Sequence, residues 1–231
     1  MPSKEIVCLA YSRKLGGRCF AGIELAACRW IRAIGRHANG ALSDFDCHMV
    51  VGNDPYTIPK PLDVIRIDFV RPDPNLAQPE NWITSGTEWQ RIRRANAGDL
   101  SILRQSISDD PELFRGYDRY VSSQEVGARP PTCSLTLIRP TKLHWQAKKD
   151  QYGRDGFRGQ FTVSGATYDL PLTCDEYASQ LARNGESRLI DGLSDASREV
   201  LLTISLGDLF AETGRYYKLI AGVIEIPKST I

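Results

Sequence analysis

The last hundred residues alternate apolar and polar side chains with period two, and the runs come in a fixed order. Residues 134–138, 157–163 and 168–172 read as strands, a helical stretch follows, and 201–206 and 216–226 read as strands again. Thr173 followed three residues later by Glu176 is a capping-box pattern that marks the helix start. Tyr177 and Leu181 then share one helical face, and Asn184-Gly185 predicts the helix end. Three strands, a helix and two strands is the order of an OB-fold, a five-stranded Greek-key barrel.

The first third carries the same period. Residues 6–10, 19–24, 30–34 and 64–70 read as strands, and in the last of these Ile65, Ile67 and Phe69 oppose Arg66 and Asp68. Gly16-Gly17 predicts a hairpin tip from which Arg13, Lys14 and Arg18 project. Residues 36–62 read as loop, broken by Gly40, Gly52, Pro55, Pro59 and Pro61. This third therefore reads as a less regular copy of the same barrel, with its helix replaced by that loop. Residues 71–82 are proline-rich and predict a stiff extended connector. Beyond them Trp89, Ile92, Leu100, Leu103 and Ile107 suit short helices, broken near Gly98 and at Asp109-Asp110-Pro111, where Asp110 can cap a turn begun by Pro111. Residues 122–131 return to loop. The expected fold is mainly β with minor α: OB-like barrels over 1–72 and 132–231, joined by a proline-rich, partly helical connector over 73–131.

Composition narrows the class of partner. The 231 residues are 42% apolar and 25% charged, ordinary for a globular protein, with a net charge of +1. That near-neutral sum hides a local +5 over residues 4–36, +4 over 139–158 and −5 over 175–212. No run approaches the roughly 20 apolar residues that span a bilayer. The N-terminus enters a strand without the apolar stretch of a signal peptide. The six cysteines show no C-x-x-C spacing, which fits reduced thiols and a cytoplasmic location.

Chemistry is sparse. His37, His48 and His144 are the only histidines, and Cys28, His37, Cys47 and His48 match no common zinc spacing. Ser12 and Ser205 lie in no nucleophile elbow, and Asp44/Asp46 and Asp109/Asp110 sit in turn-like sequence where aspartate bonds its own backbone. Gly16-Gly17 lacks the lysine and helix of a phosphate loop. No catalysis, metal or cofactor is expected. Basic and aromatic residues are interleaved instead, as single-stranded nucleic acid requires. Arg13, Lys14, Arg18, Trp30 and Arg32 supply them in the first half. Lys142, Trp145, Lys148, Lys149, Tyr152, Arg154, Phe157 and Arg158 do so in a long loop of the second, and Tyr216, Tyr217 and Lys218 open the last strand. Core packing competes for each aromatic, and plain solvation for each cation.

Several segments resemble the dual OB-containing domain proteins of bacteria over nearly the whole chain. They are Ser12-Arg13-Lys14 with Gly16-Gly17-Arg18, Arg29-Trp30-Ile31-Arg32, and Gln78 with Glu80-Asn81-Trp82. Residues 168–173, Ser205-Leu206-Gly207 with Phe210, and Tyr217-Lys218-Leu219-Ile220-Ala221 are also similar. Cys174 and Leu209 depart from the more turn-like residues of that family. The resemblance implies two OB-like barrels and a nucleic-acid or ligand-sensing role in bacterial conflict or defence, with no catalytic residues to carry over. The expected function is non-catalytic nucleic-acid binding, with Arg13, Lys14, Arg18, Arg32, Lys142 and Lys218 on phosphates and Trp30 and Trp145 stacking on bases. The alternatives are an adaptor that docks an NTPase or effector partner encoded nearby and a sensor of a nucleotide or other small ligand.

Overall fold

A computed structural model describes residues 1–14, 16–36, 39–51, 54–149, 155–183, 189–193, 195 and 197–228. Strand makes up 53% and helix 15%, so the chain is mainly β. It divides into two compact units, Met1–Ser106 and Ile107–Ile231.

The first unit runs β1 (Ser3–Lys14), β2 (Gly17–Glu24), β3 (Arg29–Ile34), a 3₁₀ turn (Phe45–Cys47), β4 (Met49–Val51), β5 (Asp54–Thr57), β6 (Asp63–Pro72), β7 (Asn81–Thr84), β8 (Gln90–Arg94) and α1 (Ala97–Gln105). Strands β1, β2, β3, β7 and β6 pair in that order, and β6 returns to β1, which closes a five-stranded barrel. The seam between β3 and β7 is parallel and fully zipped, from Arg32–Asn81 to Ile34–Ile83. Ile6, Cys8, Phe20, Ile31, Ile65, Ile67 and Phe69 fill the interior. The stretch between β3 and β6, where the helix of the regular order would be, was expected as loop but carries the 3₁₀ turn and the paired strands β4 and β5.

The second unit runs a 3₁₀ turn (Leu113–Arg115), β9 (Tyr120–Ser122), α2 (Ser123–Ala128), β10 (Leu135–Ile138), β11 (Lys142–Lys149), β12 (Asp155–Val163), β13 (Ala166–Pro171), α3 (Asp175–Arg183), β14 (Leu189–Asp191), β15 (Arg198–Phe210) and β16 (Arg215–Pro227). One sheet is ordered β10-β15-β16-β9, the other β13-β12-β11-β14. Segments β10 and β11 are one strand interrupted at Arg139-Pro140-Thr141, and they carry the chain from one sheet into the other. On the far side the sheets meet, among the described residues, at one parallel bridge, Leu172–Ile220, reinforced by the Thr173 amide bonding the Ile220 carbonyl at 2.9 Å. The pairing order therefore repeats that of the first unit, but this seam is nearly unzipped. Residues 111–116 seal it. Leu113 enters the core, Tyr168 Oη accepts from the Leu113 amide at 3.1 Å, and Lys218 Nζ donates to the Gly116 carbonyl at 2.7 Å.

Several expectations need correction. Residues 73–131 form no separate connector: β7, β8 and α1 belong to the first unit, and 107–131 to the second. Trp89 and Ile92 do not lie on a helix, because Trp89 is buried edge-to-face against Phe20 at 4.8 Å and β8 begins beside it. Only α1 is helical there, started by the Asn96–Asp99 capping box. Residues 122–131 contain α2, whose Ser122–Glu125 box the sequence already carried. The supposed long loop after 138 is largely β11. Thr173 is not the cap of α3: its hydroxyl donates to the Ile220 carbonyl at 3.2 Å, and the helix begins at Asp175. Asn184-Gly185 lies outside the described residues.

Candidate nucleic-acid interface

The β1–β2 tip is built by close backbone approach. A Cβ on Gly17 would lie 2.2 Å from the Leu42 carbonyl oxygen, so only glycine fits. The Arg18 amide donates to Leu42 O at 2.7 Å, and the Leu42 amide returns a bond to Arg18 O at 3.0 Å. These bonds pin the stretch after Gly40 alongside the tip. In the hairpin register Arg13 stands directly opposite Arg18, which puts both on one face. Arg13 is exposed, and Lys14 and Arg18 are half-buried. Arg18 Nε donates to Asp44 Oδ1 at 2.6 Å, and its guanidinium lies 5.6 Å from the Tyr11 ring centroid.

The pinned stretch also presents an aromatic face that sequence reasoning missed. Phe45 is 75% exposed, and its ring centroid lies 4.7 Å from that of His48, whose Nδ1 donates to the Phe45 carbonyl. Nothing in Ser-Asp-Phe-Asp-Cys distinguishes an outward phenylalanine from a core one. Asp46 is used within the turn, accepting from the Ser43 amide at 2.8 Å and from its hydroxyl at 2.7 Å. Burial pushes the Cys47 thiol well up, so it stays protonated and inert. Among the described residues no three His, Cys, Asp or Glu side chains gather around a metal position, and His37 lies outside them.

The other two residues proposed for the first unit divide. Trp30 is half-buried on β3, whereas Arg32 is 3% exposed and cannot reach a phosphate. Its Nε donates to Glu80 Oε1 at 3.1 Å and its Nη1 to Cys19 Sγ at 3.1 Å. Beside this pair, Lys4 Nζ donates to Glu24 Oε1 at 2.7 Å and lies 4.2 Å from the Trp82 ring, with Arg29 on Glu24 Oε2 at 2.9 Å. Burial pushes the Glu24 carboxyl up, but the bonds from Lys4 and Arg29 outweigh it and hold the group below the usual range. The Arg29–Arg32 and Gln78–Trp82 segments are thus two halves of one fastening across the β3–β7 seam.

In the second unit the expectations are corrected further. Trp145 is fully buried on β11, packed against Tyr177 at 5.3 Å, so it offers no face to a base. Gly159 leaves it room: a Cβ there would be 2.8 Å from the indole. Lys142, Lys148 and Lys149 are exposed on β11, Arg158 is held by Asp169 at 2.7 Å, and Tyr152 and Arg154 lie outside the described residues. Lys218 is fully buried beneath Gly116, and burial pushes its ammonium down to about 8. Because the unfolded chain holds that proton better, stability is expected to rise from about pH 8 toward 10.5 and to be flat in this group below pH 8. Urea unfolding of wild type and Lys218→Met across that window checks it, since the variant should lose the rise.

A second aromatic cluster stands on the β15–β16 hairpin. Tyr217 packs edge-to-face on Tyr120 at 6.1 Å and on Phe210 at 6.2 Å, while Arg215 lies 4.0 Å from the Tyr120 ring. Leu209 and Phe210 are 46% and 38% exposed, and Asp208 and Glu212 flank them.

Among the described residues no helix is long and apolar enough to cross a membrane. No curated protein and no solved structure matches the chain. One family does, over residues 4–223, and its pairing of two OB barrels is the architecture found in both units: the chain belongs to the dual OB-containing domain family.

Proposed function

We propose that this protein binds single-stranded nucleic acid, without catalysis, at the β1–β2 tip of its first barrel. The observation that carries this reading is Arg13 and Arg18 on one hairpin face, with the exposed Phe45 next in sequence to Asp44, which pairs with Arg18. Cations neutralise phosphates, and a bare ring gives a base something to stack on. The tip is also one of the loops that flank the ligand groove in OB barrels. In the setting that the family resemblance implies, such binding would make the protein a sensor or accessory component of a defence system. Fluorescence anisotropy of the full chain with labelled oligo-dT and oligo-U tests the binding. Affinity should fall with salt at a slope of about −2, roughly 0.7 for each of three cations. No salt-sensitive binding to either oligonucleotide at low salt would sink the reading.

A second reading, an adaptor, is favoured by one observation. Leu209 and Phe210 are exposed large apolar side chains beside Asp208 and Glu212, a surface that suits a protein segment carrying basic and apolar residues better than a polyanion. Phe210→Ser should then weaken complex formation with such a partner about tenfold or more in pull-down titrations while leaving oligonucleotide binding unchanged.

A further inference from the structure

We infer that Asp44 is a tethered stand-in for a phosphate group, which a nucleic-acid ligand must displace from Arg18. The inference rests on the binding reading above and concerns the regulation of that same site. Arg13 and Arg18 are a cross-strand pair of like charge, an arrangement that costs stability unless an anion lies nearby. Asp44 supplies that anion from the pinned stretch, with Oδ1 at 2.6 Å from Arg18 Nε.

The carboxylate has no visible task in its own turn. Asp44 is the residue before the 3₁₀ turn, yet its side chain makes no capping bond, and Asp46 ties the turn to Ser43 instead. Its side chain is 73% exposed against 26% for Arg18, so the anion is the partner open to exchange with solvent and the guanidinium the more enclosed one. Arg18 is steadied from below by the Tyr11 ring. A carboxylate on a guanidinium Nε occupies one of the positions that a phosphate oxygen takes when it binds the same fork. Phe45, the next residue, has its ring exposed to solvent. The ligand therefore meets a site whose geometry is already set, and it must exchange one anion for another.

Removing the stand-in should strengthen binding. Anisotropy titration of the full chain with labelled oligo-dT at low salt is expected to give Asp44→Asn an affinity about three- to tenfold above wild type, the scale of one exposed ion pair together with the lost repulsion. Asp44→Ala should behave alike, and both variants should stay folded and melt only slightly below wild type, the small cost of removing one exposed ion pair. Wild-type binding with unchanged or weaker binding by both variants would overturn this inference alone and make Asp44 a mere positioner of Arg18. No binding by wild type and variants together would overturn the nucleic-acid reading as well.

Discussion

Arg13→Glu with Lys14→Glu is expected to lower affinity for single-stranded DNA by roughly 30- to 100-fold at low salt, because two attractive phosphate contacts become repulsive. The salt dependence should flatten by about 1.4, since two cations no longer release counterions. The loss should be alike for oligo-dT, oligo-dA and mixed sequences, for phosphate contacts carry no base information. Neither residue contributes to the barrel interior, Arg13 being exposed and Lys14 half-buried, so the fold should persist. Anisotropy titrations at several salt concentrations, with melting curves alongside, decide the matter. Unaltered affinity with an intact fold would mean that the tip only closes the barrel.

The largest stability effect is expected at the β3–β7 seam. Arg32 and Glu80 are both nearly excluded from solvent, with side chains 3% and 5% exposed. Glu80→Ala leaves a guanidinium buried beside a half-satisfied set of donors, and Arg32→Ala leaves a carboxylate in the same position. Each should cost about 3–5 kcal/mol in urea unfolding. Replacing both at once, as Arg32→Met with Glu80→Leu, should cost far less, because neither charge is then stranded. A double variant as damaging as the sum of the singles would show that packing, rather than stranded charge, is at stake.

These two sites show what the sequence could and could not reveal. β1, β2 and β3 stood out as short apolar runs because they bury both faces, whereas period-two alternation marked β6, which buries Ile65, Ile67 and Phe69 on one face. The order of strands and helix in the last hundred residues gave the second barrel for the same reason. β8 was hidden because Gln-Arg-Ile-Arg-Arg buries no alternating face. β11 was hidden because its second half, Gln-Ala-Lys-Lys, is exposed throughout and shows no alternation. Charge told where cations lie along the chain but not how deep. Arg32 and Lys218 looked like Arg13 until Glu80 and the Gly116 carbonyl, 48 and 102 positions away, came into view. Phe45 was invisible for the opposite reason, since an exposed ring breaks the pattern that makes apolar residues readable.

Residues 111–116 leave the ribosome before every barrel strand that they seal. Leu113 must wait for Tyr168, 55 positions later, and Gly116 for Lys218, 102 positions later. Contacts so far apart in sequence form late, because the entropy of closing the loop is lost before any contact is gained. Leu113 therefore lacks Tyr168 until β13 is made, and β16 brings the lysine that finishes the barrel. The first unit faces no such delay, since the strands of its seam are complete by Thr84. One chain thus holds two barrels of the same order on different clocks, the second finished only by its final strand.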